Sequence, residues 1–61
     1  MSEITVTIPR AAAMNIVGLI EERIDEIERL EKVHPTLPIR DPQTMSDYFA
    51  AAKALEKALG R

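Results

Sequence analysis

Apolar and polar residues alternate at the start of the chain. Ile4, Val6 and Ile8 interleave with Glu3, Thr5 and Thr7. A period of two, with β-branched side chains at nearly every position, predicts a short half-buried strand over about 3–8. Pro9 has no ladder donor and ends it. The period then changes. Ala13, Ile16, Val17, Ile20, Ile24 and Ile27 recur at spacings of three and four, which lays them along one face of an α-helix. Leu19 and Leu30 widen that stripe on one side. The helix is expected from about Arg10 to Val33, because Pro35 disfavours helical geometry at His34.

A connector over about 34–41 follows. Its prolines, Pro35 and Pro38, predict an extended and stiff segment. Asp41-Pro42 then reads as an N-cap followed by the first helical residue. Thr44 and Asp47 offer a second start that resembles a capping box. The second helix is expected over about 42–59, with Gly60 in the terminating place. Its apolar face is Met45, Tyr48, Phe49, Ala52, Leu55 and Leu59. Ala50, Ala51, Ala54 and Ala58 leave much of the rest small. The expected fold is mainly α. A short N-terminal β-strand precedes a long and a shorter helix, in β-α-α order as an αα-hairpin, and the whole assembles as a dimer.

The dimer follows from the strand. A lone strand has unpaired backbone groups on two edges, which must be paired or wet. The only other segment expected to be extended is Thr36 to Arg40. A helix of roughly 24 residues, or about 36 Å, separates the two within one chain. Between chains, Glu3 to Ile8 can pair with its own copy as an antiparallel ribbon. Alternatively, two long helices packed antiparallel bring each strand near the other chain's Thr36 to Arg40. Both are twofold dimers. A third arrangement adds the strand to a partner's sheet. The long helix agrees with an inter-chain role, since Ala11 to Ile20 is apolar or small almost all the way round. Ala11, Met14 and Gly18 form a flat second patch there. The expected interface comprises Ile4, Val6, Ile8, Ala11, Met14, Gly18 and Leu19.

Length and composition narrow the rest. Sixty-one residues allow one domain, 1–61. A chain this short buries only about 60% of the surface its unfolded form exposes. Disulfides cannot compensate, because there is no cysteine. A metal is no better supported, since His34 is the only histidine and no acidic pattern resembles a calcium loop. No cofactor is expected. Self-association, or binding to another protein, is the remaining route. The net charge is -2, with both signs interleaved. No single-signed region steers nucleic acid, which argues against it as a partner. The run from Ala11 to Ile20, interrupted by Asn15, falls short of the roughly 20 residues a membrane span needs. No basic region of a signal peptide precedes it. A cytoplasmic location is expected, with no membrane partner.

Candidate chemistry is sparse. His34 stands before a proline at a helix end with no Ser or Cys nucleophile near it in sequence. Complementing the helix dipole, or simple exposure, suits it better than acting as a base. The carboxylates of the first helix are matched by Arg and Lys, with Asp25 and Arg29, and Glu28 and Lys32, in the favourable i, i+4 order. They read as a solvated face. Glu31 is the exception, falling back onto the apolar stripe where the buried stretch ends. Lys53, Lys57 and Arg61 recur every four residues and form a short basic ridge. It suits an anionic partner, or equally the cationic bias of helix C-termini. No phosphate loop or catalytic set is present in the sequence, so no enzyme activity is expected. The reading that fits is a small interaction protein, an adaptor or an inhibitor of a larger complex, acting as a homo-oligomer. Its alanine-rich character suits a phage or accessory-element product.

Ile4-Thr5-Val6-Thr7-Ile8-Pro9 followed by a helix resembles the opening of ribbon-helix-helix DNA-binding proteins. The resemblance implies a strand paired across a dimer, with Glu3, Thr5 and Thr7 facing the major groove. A DNA-binding transcriptional regulator is therefore the alternative function. The likeness covers Ile4 to Pro9 and the β-α-α order. The first helix is much longer than the family's, and the connector replaces its short Gly-containing turn. The outward strand face carries Glu3 and no Arg or Lys, although phosphate attraction dominates affinity for DNA.

Overall fold

The computed structural model describes residues 3–61; the first two residues of the expected domain lie outside them. Two helices, α1 (Arg10–Val33) and α2 (Pro42–Leu59), pack against each other as a hairpin. α1 has no side-chain cap at Pro9, whose carbonyl accepts from the Ala13 N–H at 3.0 Å. It ends at His34, which takes the non-helical φ of -126° that a following proline favours. The His34 N–H still donates to the Leu30 carbonyl at 2.8 Å. α2 begins where its chemistry says it should. The Asp41 carboxylate accepts from the Thr44 hydroxyl and from the Thr44 N–H at 3.3 Å, with Pro42 in the first turn. The later start at Thr44 is not used. α2 stops at Gly60, whose φ of 80° is the left-handed conformation that glycine tolerates best. The Gly60 N–H donates to the Lys57 carbonyl at 3.1 Å and the Arg61 N–H to the Glu56 carbonyl at 2.9 Å, the paired bonds of a Schellman cap.

The core is small. Ala13, Val17 and Leu59 form a buried cluster with Leu55 packed against it, and Ile27, Met45 and Ala52 are also buried. Among the described residues only Val17, at 1% exposure, is a sizeable side chain wholly enclosed. No buried polar or charged side chain is found among the described residues. Each end of the hairpin has its own tie. At the open end the Arg10 guanidinium donates to the Leu59 carbonyl at 2.6 Å, filling an orphan acceptor and placing a cation at the negative end of α2. At the connector end Arg40 grips Glu31 with two bonds of 3.1 and 2.9 Å, a bidentate pair.

Several expectations are corrected. Residues 3–8 are not a strand in the single chain, because no second extended segment lies within reach to pair with them. The order is therefore α-α rather than β-α-α, and the expected dimer loses the strand as its support within one chain. The connector is not extended. The Leu37 N–H donates to the His34 carbonyl at 3.1 Å, and the Ile39 N–H to the Leu37 carbonyl at 2.9 Å. The first bond closes a turn with Pro35 at its second position, which the fixed proline φ suits. The second closes a three-residue turn around Pro38. Ile16 and Phe49, expected on the apolar faces, are exposed. The ion pairs among the described residues are Arg23–Glu26 and Glu31–Arg40, in place of Asp25–Arg29 and Glu28–Lys32. Among the described residues no helix is long and apolar enough to cross a membrane.

Candidate interaction surfaces

Too much apolar surface stays outside for this core. The accessible area is 5204 Å², against about 4,000 Å² for a compact monomer of this mass. The arm before α1 contributes first. Ile4 is 86% exposed, and Val6 and Ile8 are also exposed. Val6 and Ile8 border an open groove of about 350 Å³, whose floor is Ala13, Leu55 and Leu59 at the open end of the hairpin. The arm therefore runs beside the core without sealing it.

The exposed residues of α1 fall on two sides. Ala11 and Met14 lie on one, with half-buried Gly18 between helical turns. A Cβ on Gly18 would meet nothing within 4 Å beyond its own stretch of helix, so no packing contact in the single chain needs that glycine. On the other side lie Ile16, Leu19, Leu30 and Val33, with Leu19 64% and Val33 68% exposed. The interface expected from sequence is therefore brought together only in part. Leu19 lies about 80° round α1 from Ala11 and about 140° from Met14. Ile16 and Leu30, both expected on the apolar stripe, and Val33 at the end of α1 are exposed as well.

Lys53, Lys57 and Arg61 all reach one shallow depression of about 560 Å³ on α2, together with Phe49, Ala52 and Glu56. Phe49 is the addition that sequence reasoning did not make. An exposed ring there stands among three cations and one carboxylate. His34 is exposed, and no group of three or more metal-binding side chains occurs among the described residues. Asp41 is held below the ordinary carboxylate range, chiefly by the Thr44 hydroxyl, and that bond belongs to the helix cap. The Arg10–Leu59 and Glu31–Arg40 ties were also missed. Only Glu31 stands out in the sequence, as a charge on the apolar stripe, and there it reads as the end of the buried stretch rather than as half of an ion pair. Compared with known protein families, curated proteins and solved structures, the chain matches none.

Proposed function

We propose that the protein is a small non-enzymatic protein–protein interaction module. In this reading it works in the cytoplasm as a homo-oligomer, in the manner of an adaptor or an inhibitor of a larger complex. One observation carries the reading: the accessible area of 5204 Å² includes large apolar side chains on the arm, on α1 and on α2. Two helices make a single layer, and stable domains bury a layer against another. A second chain is the natural source of that layer, and the arm Glu3 to Ile8 becomes a strand only when another chain supplies its ladder partners. The absence of cysteine agrees with a reducing compartment. The basic ridge Lys53, Lys57 and Arg61 stays free in such an assembly for an anionic partner.

Sedimentation or light scattering tests the reading. The expected mass at micromolar concentration is about twice the 6.8 kDa chain, falling on dilution, with a melting temperature that rises with concentration. A helical monomer with a concentration-independent melt removes the homo-oligomer. A salt-sensitive, sequence-selective shift of duplex DNA would put the ribbon-type regulator in its place.

A further inference from the structure

α1 carries a second periodicity that the hairpin does not use. Ile16, Leu19, Arg23, Glu26, Leu30 and Val33 follow one another at alternating steps of three and four, the a/d seam of a coiled coil. All six are exposed. The seam lies about 110° round the helix from the buried face of Ala13, Val17 and Ile27, so α2 leaves it clear. Its centre is charged. The Arg23 guanidinium meets the Glu26 carboxylate at 2.6 Å within the one helix.

That pattern selects an occupant. Set a second copy of α1 antiparallel, with Arg23 opposite the partner's Glu26. Leu19 then faces the partner's Leu30, and Ile16 faces the partner's Val33. Every apolar position meets an apolar one, and every charge meets its opposite. On one flank Glu22 lies beside the partner's Arg29, the kind of flanking charge pair that sets orientation in coiled coils. No other alignment does this. A shift of one heptad sets Arg23 and Glu26 against Leu19 and Ile16, or against Val33 and Leu30. A parallel in-register pair sets Arg23 on Arg23 and Glu26 on Glu26. We propose that α1 self-associates through this seam as an antiparallel twofold dimer in this register. Around the twofold axis the two Arg23–Glu26 pairs form a ring of alternating charges, which weakens the seam locally and fixes its alignment. The inference rests on the interaction-module reading and names its first partner.

Cysteine pairing tests the register, because the chain has no cysteine of its own. With oxidised glutathione as oxidant, a mixture of Leu19→Cys and Leu30→Cys should give the mixed disulfide dimer, and neither alone should crosslink. Arg23→Glu and Glu26→Arg should each raise the dimer dissociation constant about tenfold, since two exposed pairs turn repulsive. Mixing those two variants should restore association. The doubly exchanged variant should dimerise like the wild type, which separates charge register from misfolding. Gly18→Ala, on another side of the helix, should leave the dimer intact. Self-crosslinking of Leu19→Cys overturns the antiparallel seam. So do a doubly exchanged variant that stays monomeric and a Gly18→Ala variant that dissociates. In those three cases the wild type still associates and the interaction reading stands. A wild type that is monomeric throughout removes both.

Discussion

Asp41 lies at the surface and still decides where α2 begins. Its carboxylate accepts from the hydroxyl and the N–H of Thr44, and these bonds, the hydroxyl's first, hold it below its ordinary value. A carboxylate depressed in the folded state stabilises the fold above its unfolded pKa. It loses that contribution as pH falls through the folded value. The cap is therefore intact at neutral pH and is dismantled on the acid side. Asp41→Asn keeps an acceptor in place but does not titrate, and Asn caps about as well as Asp. Thermal melts followed by circular dichroism should show a shallower loss of melting temperature for Asp41→Asn than for wild type between about pH 5 and about pH 3. Asp41→Ala should melt lower even at neutral pH. Parallel acid limbs for the wild type and the Asn variant would show that other carboxylates dominate acid unfolding.

Among the elements, the helices and the segments around them were legible to different degrees. α2 announced both ends, because Asp41-Pro42 and Gly60 act through bonds within a turn of themselves. The end of α1 was equally local, set by Pro35 acting on His34. The arm was not legible in this way. Alternation at Ile4, Val6 and Ile8 says that one side seeks burial, but not which chain supplies it. The connector misled for a related reason: proline fixes φ and leaves ψ open, so a turn and an extended run read alike. Phe49 misled because the face of α2 is narrower than its apolar residues suggest. Met45, Ala52 and Leu59 take the middle and leave Phe49 at the edge. A pair of variants tests the arm. Val6 is exposed in the single chain, so neither Val6→Pro nor Val6→Ala should disturb the isolated hairpin. Only the proline removes a ladder donor. If the arm pairs between chains, Val6→Pro should be monomeric at concentrations where Val6→Ala, weakened by about 1–2 kcal/mol, remains dimeric. Equal masses and equal melts for the two would leave the interface to α1 alone.

At the scale of the whole molecule, the hairpin is a slab of 40 × 28 × 15 Å, one helix layer thick with both broad faces wet. The sequence showed that something was missing: no cysteine, a short chain, and more apolar stripe than one partner helix can cover. It did not show which side stays open. That depends on how α2 rotates against α1, which the core cluster of Ala13, Val17 and Leu59 decides. The two arginine ties then have a consequence in time. Glu31 and Arg40 are nine residues apart and Arg10 and Leu59 forty-nine, so closing the outer loop costs about 1.5 kcal/mol more chain entropy than closing the inner one. The hairpin should zip from the connector outward and come apart from the Arg10 end. Stopped-flow refolding of dilute protein should find Arg40→Ala acting mainly on the folding limb, and Arg10→Ala mainly on the unfolding limb. The reverse assignment would mean that the Val17 cluster, far from the turn, is where folding begins.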